Sequence, residues 1–274
     1  MVSLMKRQST LIECFLDLGI PESVSPVSWE KSVDSLEAYL KKRSSKVFRE
    51  DGKEWDYSLE TAADGGPAFR ERKAIPVHKL YEFQPDELAQ PDWRIKITQE
   101  SLVINVCSHS RDKWQWAQFR SFSEEIRQVF YNGLGLSHCE KPSVTCIFAF
   151  DSEHVGDPSL ATEKWVEVKE LLAPFSVMPT PEGFESYLPK YLCDQNWRCR
   201  RNGCEYVVVS QVKTAPPQDE KGPLSIFLYL TVASVENTGL QKDLPWDDWH
   251  ALLKSSFQCH LTEKACRLLA EDFA

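Results

Sequence analysis

The order of secondary structure predicted from the sequence occurs twice along the chain, and this repetition restricts the fold more than any single motif. Each half runs as a strand, a helix, several antiparallel strands and a long helix. The first half opens with the strand "STLIECFLDLGI" and closes with the amphipathic helix "DKWQWAQFRSFSEEIRQVFYNGL". The second opens with "SVTCIFAFDSE" and closes with "PWDDWHALLKSSFQCHLTEKACRLLA", and tryptophans begin both closing helices. The pattern predicts a tandem duplication.

The predicted halves are residues 1–136 and 137–274, packed as one compact unit. Helices gathered on one face of an antiparallel sheet make an α+β fold. The order within each half is similar to the repeat of TATA-box-binding-protein-like and helix-grip folds. We therefore expect a curved sheet that carries its helices on one face.

Local signals place several boundaries within the first half. Apolar residues at helical spacing predict a helix over "SVSPVSWEKSVDSLEAYLKKRS". Asp51-Gly52 lies between two extended runs, which is a hairpin signal. The following "ADGGPAFRERKAIP" is expected to be a loop. Gly133 is expected to close the first long helix, whose buried face comprises Trp116, Phe119, Ser123, Ile126 and Phe130.

Composition limits the compartment and the classes of partner. The chain has 274 residues and a formal net charge of −9, which disfavours broad contact with nucleic acid or an anionic membrane. No apolar run is long enough to span a membrane. The N-terminal apolar stretch is interrupted by Glu13 and Asp17, which disfavours a signal peptide. The nine cysteines are odd in number and form no CxxC. We expect a cytoplasmic protein with reduced thiols.

The stretch "FQCHLTEKAC" holds four residue types that bind zinc: Cys259, His260, Glu263 and Cys266. A tetrahedral zinc site needs four ligands in short-spaced pairs, whereas these cysteines are separated by a predicted helix start. Thr262 is a suitable N-cap for that helix. The sequence favours a structural role, and we expect no metal and no cofactor.

Cys193, Cys199 and Cys204 form a second thiol group around the predicted Asn202-Gly203 turn. A hairpin there would bring Cys199 and Cys204 close together. Two thiols do not make a structural zinc site, so packed cross-strand thiols are the favoured interpretation. The alternative, a redox pair, requires exposure and a lowered pKa.

The same hairpin supplies the candidate ligand-binding residues, which are Trp197, Arg198, Arg200 and Arg201. Arginine beside an aromatic ring can bind phosphate or stack on a base. The alternative is a solvated turn that balances acidic neighbours. A second basic stretch, "FRERK" at residues 69–73, would join the tip if the halves were arranged face to face.

Catalytic motifs are not found in the sequence. The histidines are scattered without HxxxH or HExxH spacing, and no G-x-S-x-G elbow marks a nucleophile. "GLGLSH" lacks the Lys-Ser/Thr that completes a phosphate-binding loop. We therefore assign no catalytic residue.

Three segments carry a resemblance to a known family. They are "STLIECFLDLGI", "ITQESLVINV" leading into "KWQWAQFRSFSEEI", and "WHALLKSSFQCHLTEKACRLL". Together they resemble a sporadically distributed prokaryotic family of cytoplasmic proteins with no established activity. The patchy distribution of that family resembles that of genes in toxin–antitoxin or phage-defence neighbourhoods.

Three functions follow as hypotheses. The first is a non-enzymatic binding or scaffold protein that engages a protein partner in a defence or toxin–antitoxin-like module, since aromatic residues are enriched at interfaces. The second is a small-molecule or nucleotide-binding sensor, with Trp197 and the arginines at the mouth of a cavity. The third is a metal-dependent hydrolase or nuclease. Neither nucleic acid nor membrane is the expected partner.

The closing helix is expected to serve folding. Its predicted apolar stripe comprises Trp249, Leu252, Leu253, Phe257, Leu261, Leu268 and Leu269. Asp247, Asp248 and Lys254 are expected to face solvent. We expect this helix to lie across the sheet of the second half.

Overall fold

The computed structural model describes residues 11–44, 46–61, 67–83, 91–107, 116–150, 193–215, 225–235 and 243–261. The strands in these ranges are β1 (Leu11–Gly19), β2 (Val47–Thr61), β3 (Pro67–Phe83), β4 (Pro91–Ile97), β5 (Ser101–Cys107), β6 (Glu140–Phe150), β7 (Cys193–Arg201), β8 (Cys204–Ala215) and β9 (Ser225–Ser234). The helices are α1 (Pro26–Arg43), α2 (Trp116–Leu134) and α3 (Trp246–His260). The described chain is mixed α/β, as predicted. Predicted helices over "ATEKWVEVKELLA" and from Thr262 lie outside the described residues.

The nine strands form one sheet in the order β2-β3-β4-β5-β1-β6-β9-β8-β7, and every neighbouring pair is antiparallel. β1 and β6 lie side by side at the centre. On its other side, β1 pairs with β5 and β6 pairs with β9. Among the described strands, β2 and β7 are therefore the two edges of the sheet.

Alternation along the strands gives the sheet one continuous apolar face. Leu16 of β1 is opposite Ile104 of β5 and Val144 of β6, and all three are fully buried. Because side chains alternate between faces in a strand, every second residue of the inner strands contributes to the same core. The strands that the sequence predicts over "STLIECFLDLGI", "WRIKIT", "SLVINVC", "SVTCIFAFDSE" and "PLSIFLYLTVASV" are confirmed as β1, β4, β5, β6 and β9.

All three helices pack on that apolar face. The Trp29 indole of α1 donates to the Thr98 carbonyl at 2.7 Å. In α2, the Phe122 ring lies 3.7 Å from the Trp93 ring of β4. The side chain of Phe257 in α3 lies 4.3 Å from Phe148 of β6, centroid to centroid. Within the described residues, no helix is long and apolar enough to cross a membrane.

Local signals account for the first helix. Ser25 caps α1 by accepting from the Ser28 amide at 3.1 Å, and Pro26 occupies the first helical position. Lys41, Lys42 and Arg43 lie in the last turn, where positive charge is favourable. The helix predicted over this stretch is confirmed.

The hairpin predicted at Asp51-Gly52 is wrong. β2 continues through it, with Asp51 opposite His78 and Gly52 opposite Val77. The predicted loop over residues 63–76 is also wrong from Pro67 onward, where it is part of β3. β3 is 17 residues long and offers a continuous partner, so the local turn preference is overridden by pairing. The Asp51 carboxylate binds Arg49 and His78 instead of a turn amide.

Gly133 does not close α2, contrary to the prediction. Gly135 does, with a positive φ of 73° that few residues other than glycine adopt easily. The Leu136 amide bonds to the Tyr131 carbonyl at 2.9 Å and the Gly135 amide to the Asn132 carbonyl at 3.0 Å, a Schellman ending. Gly133 instead marks the close approach of α1 and α2. A Cβ atom there would lie 2.6 Å from Ser32 Oγ.

We predict that Gly133→Ala lowers the free energy of unfolding by about 1–2 kcal/mol, because the added methyl forces α1 and α2 apart. Gly52→Ala is the matched control, since no atom lies within 4 Å of its added Cβ. Urea titration of both variants measures the effect. Equal stability of Gly133→Ala and the natural protein would contradict the close helix contact.

Candidate functional site

The hairpin predicted around Asn202-Gly203 is confirmed. Asn202 and Gly203 have φ values of 48° and 81°, the positive values that a two-residue type I′ turn requires. β7 and β8 pair from Arg201 opposite Cys204 at the turn to Cys193 opposite Val212. The turn therefore sets the register of an edge strand that carries all four candidate ligand-binding residues.

Strand alternation divides those candidates between the two faces of the sheet. Arg198 and Arg200 occupy one face, opposite Val207 and Glu205. Arg201 belongs to the other face, which the helices cover. Trp197 is opposite Val208 in the register, and its side chain lies outside the described residues. The four residues therefore do not form one cluster.

Arg201 is held by a buried carboxylate from α3. Its Nε donates to Asp248 Oδ1 at 2.9 Å, and Asn202 Nδ2 donates to the same oxygen at 2.7 Å. The Tyr206 hydroxyl donates to Asp248 Oδ2 at 2.8 Å. Burial, followed by the hydrogen bond to Asp248, raises the pKa of Tyr206. These contacts fix the hairpin tip to the first turn of α3.

The predicted exposure of Asp248 is wrong, because only 8% of the residue is accessible. Its partners come from the hairpin more than forty positions earlier. Helical periodicity reports which face of α3 is polar, but it does not identify a distant partner that buries one polar residue. Asp247, the next residue toward the N-terminus, is exposed as predicted.

Arg198 and Arg200 have a different environment, with side chains 74% and 77% exposed. Both approach the same carboxylate, Glu205, at 3.5 Å and 3.8 Å. One carboxylate balances two guanidinium groups only in part, so these three side chains together carry a net positive charge. The chain as a whole is acidic, with a net charge of −9.

At the opposite edge of the sheet, the described charges of Arg49, Asp51 and His78 pair within the protein. Arg49 of β2 contacts Asp51 at 2.6 Å, Asp34 at 2.7 Å and Glu37 at 3.0 Å. His78 contacts the same Asp51 at 2.6 Å. Partial burial opposes ionisation of Asp51, but its hydrogen bonds to Arg49 and His78 lower the pKa of the carboxyl. This cluster, which the sequence did not predict, attaches α1 to β2 and β3.

The basic stretch at residues 69–73 does not join the hairpin tip along the sheet. It belongs to β3, and six strands separate β3 from β7 in the sheet order. Seven inter-strand spacings of about 4.8 Å therefore lie between β3 and β7, and their separation along the sheet is roughly 34 Å. The face-to-face arrangement that would have joined the two basic stretches is therefore absent from the described strands.

Cys199 and Cys204 are diagonal neighbours in the hairpin, since Cys199 is opposite Tyr206 and Cys204 is opposite Arg201. Both are half-buried against the core. Burial raises the pKa of Cys199, and the nearby Arg201 opposes this only in part. The arrangement agrees with packed thiols. A reactive pair would need a lowered pKa, and the pKa of Cys199 is raised. Cys193 lies outside the described side chains.

The stretch considered for zinc contains the end of α3. His260 is buried, and its Nδ1 lies 2.7 Å from the Ser256 carbonyl oxygen while Nε2 lies 2.8 Å from Ser210 Oγ. Nδ1 therefore carries a proton that it donates to Ser256. Cys259 is exposed, and Glu263 and Cys266 lie outside the described residues. Across the described ranges, no group of three or more His, Cys, Asp or Glu side chains is placed to hold a metal.

The described residues also form a small apolar recess between α1, α2 and the sheet. Leu40, Leu80, Trp93 and Phe122 line it, together with Val47, Tyr81 and Ile95. Its strands are β2, β3 and β4, at the end of the sheet away from β7. The candidate arginines therefore do not stand at the mouth of this recess, as the sensor hypothesis expected of a cavity.

Comparison with known proteins gives no family assignment. No family model and no curated protein matches the chain. A solved structure described as "KH domains" aligns over 96% of this chain and 87% of that chain, at 8% sequence identity and a TM-score of 0.23. A TM-score of this size supports no conclusion about fold or function.

Proposed function

We propose that this chain is a non-enzymatic binding protein whose β7 edge takes up an extended, acidic segment of a partner protein. One observation carries the proposal. Arg198 and Arg200 lie on β7, which pairs on one side only among the described strands, and their two exposed guanidinium groups share a single carboxylate, that of Glu205 on β8.

The backbone of β7 supports strand addition as the binding mode. An edge strand presents a row of N–H and C=O groups that an extended peptide can pair with, and such pairing supplies affinity with little dependence on sequence. β7 has nine residues, which is long enough for a full additional strand. The Asp248 contacts hold the hairpin tip in place before a partner arrives, which reduces the entropy cost of binding.

The side chains of Arg198 and Arg200 supply the preference for acidic partners. Arginine matches the geometry of a carboxylate with two parallel hydrogen bonds. Because both residues lie on one face of β7, they meet alternate residues of an added strand. A partner with glutamate or aspartate at every second position fits this spacing.

The prediction is tested with a fluorescent peptide of alternating glutamate and valine, a lysine–valine peptide of equal length, and a single-stranded oligonucleotide. Anisotropy titration should show saturable binding of the acidic peptide that weakens as ionic strength increases. Equal binding of the basic peptide, or tighter binding of the oligonucleotide, would contradict the proposal.

Arg198→Glu/Arg200→Glu is expected to weaken acidic-peptide binding about tenfold or more, because attraction becomes repulsion at two positions. Lys31→Glu/Lys42→Glu makes the same change in net charge at exposed positions of α1 and should leave binding within about twofold. Equal losses of peptide affinity in the two double variants would show that only the overall charge of the protein matters, and would refute a binding site on β7.

We further propose that the sheet consists of two copies of one unit related to the TATA-box-binding-protein-like and helix-grip repeats. The strand order supports this: β1 and β6 are central, each next to the last strand of its own half, with earlier strands farther out. α2 and α3 follow those last strands in both halves.

A partner encoded beside this chain, in a module of the defence or toxin–antitoxin kind, fits the family resemblance.

A further inference from the structure

Cys14 and Cys146 lie directly opposite each other on β1 and β6, the two central strands of the sheet. Their Sγ atoms are 3.3 Å apart. Both residues are buried on the face that the helices cover, with 0% and 3% of their surface accessible. The contact joins the first half of the chain to the second.

Backbone geometry at this position fits a disulfide. Directly opposed residues of antiparallel strands have Cα atoms about 4.5–5.5 Å apart. Disulfides form across Cα separations of about 4.4–6.8 Å. The two thiols therefore need only side-chain rotation and a short approach of the sulfur atoms to bond.

We propose that Cys14 and Cys146 form a thiol–disulfide site, which a low-molecular-weight disulfide such as oxidised glutathione converts into a cross-strand disulfide within the native fold. Nothing in the proposed partner-binding function requires this site.

The chemistry balances in two exchange steps. One cysteine, as its thiolate, attacks a sulfur of oxidised glutathione, which forms a mixed disulfide and releases one glutathione thiolate. The second cysteine then attacks the protein sulfur of the mixed disulfide and releases the second glutathione. The protein loses two protons and two electrons, and one glutathione disulfide becomes two molecules of reduced glutathione.

Burial controls the rate of this exchange. Desolvation, then the hydrogen bond to Cys146, raises the pKa of Cys14, so Cys14 carries little thiolate in the closed fold. The first step therefore proceeds through local opening and is slow. The same burial shields the finished disulfide from reductants, so the oxidised form is long-lived once made.

The cross-link would stabilise the fold. The two cysteines are 132 positions apart, so a bond between them closes a long loop in the unfolded chain. Loss of that conformational freedom is expected to raise the melting temperature by roughly 5–10 °C. The effect requires that the native backbone accommodate the bond without distortion.

The test is prolonged incubation of the folded full chain with oxidised glutathione, followed by removal of the reagent. Intact mass measured after denaturation and alkylation should show one intramolecular disulfide, and peptide mapping should join Cys14 to Cys146. The melting temperature should rise and should return to its starting value after treatment with dithiothreitol under denaturing conditions and refolding.

Two variants separate this pair from the other thiols. Cys199→Ala/Cys204→Ala should retain the full thermal shift, and Cys14→Ala or Cys146→Ala should lose it. Recovery of both residues in alkylated form, cross-linking of any other pair, or a disulfide that lowers the melting temperature would overturn the proposal.

Discussion

Phe257→Ala is expected to lower the free energy of unfolding by about 3–5 kcal/mol, the range observed when buried aromatic residues are truncated. Phe257 is 2% exposed and contacts Phe148 and Phe150 of β6 at ring-centroid distances of 4.3 Å and 6.2 Å. The substitution would leave a cavity between α3 and the centre of the sheet. Urea or guanidinium titration, monitored by tryptophan fluorescence and circular dichroism, measures the loss.

Cys259→Ser is the matched control for this prediction. Cys259 lies two residues further along the same helix and is exposed, so its replacement is expected to change stability by less than about 0.5 kcal/mol. Acidic-peptide binding should also be unchanged. Loss of binding in Cys259→Ser at unchanged stability would contradict the structural role assigned to the end of α3.

Asp248→Ala is expected to lower the free energy of unfolding by about 3 kcal/mol. The substitution removes the acceptor for Arg201, Asn202 and the Tyr206 hydroxyl at once. Tyr206 is fully buried, so its hydroxyl would be left in the core without that partner. A buried donor that loses its acceptor destabilises the folded state by its full desolvation penalty. Thermal and chemical denaturation measure the cost.

Asp247→Ala provides a close comparison for Asp248→Ala. Both carboxylates lie in the first turn of α3 and interact similarly with the helix dipole. The Asp247 side chain is 90% exposed and pairs only with Arg120 among the described contacts, at 3.0 Å. We expect its loss to cost less than about 1 kcal/mol. Similar costs for the two variants would show that the Asp248 contacts do not hold the hairpin tip.

Periodic signals in the sequence were sufficient for most of the described elements. An apolar run closed by Gly19 and Pro21 placed β1, helical spacing placed α1 and α2, and Asn202-Gly203 placed the β7–β8 turn. These features depend on residues close together in the chain, so local sequence reports them well.

Nonlocal pairing explains the main errors. Asp51-Gly52 has the same turn chemistry as Asn202-Gly203, yet β2 runs straight through it because β3 continues to pair beyond that point. Gly133 resembles a helix end, but its lack of a side chain serves the contact with Ser32 of α1. In each case the structure depends on a contact with a residue far away in the sequence, which the local sequence does not identify.

The candidate site was predicted in part for the same reason. Sequence identified the arginines of β7, and strand alternation correctly separates Arg201 from Arg198 and Arg200 once the register is known. The buried role of Asp248 and the edge position of β7 depend on the order of all nine strands, which sequence periodicity does not supply.

Among the described residues, β2 is the rival edge for strand addition. It carries Phe48, which is 59% exposed, whereas its Arg49 and Asp51 are paired with α1 and β3. A binding experiment that reports only affinity does not distinguish the two edges. A measurement of hydrogen exchange at the backbone amides of each strand distinguishes them.

Hydrogen–deuterium exchange of the full chain, with and without saturating acidic peptide, tests the β7 proposal most directly. Strand addition gives backbone amides of an edge strand new hydrogen bonds, which slows their exchange. We expect slower exchange in residues 193–201, unchanged exchange in residues 47–61, and loss of the effect in Arg198→Glu/Arg200→Glu. Slower exchange confined to residues 47–61 or to the helices, or no change in residues 193–201 at saturation, would contradict the proposed binding edge.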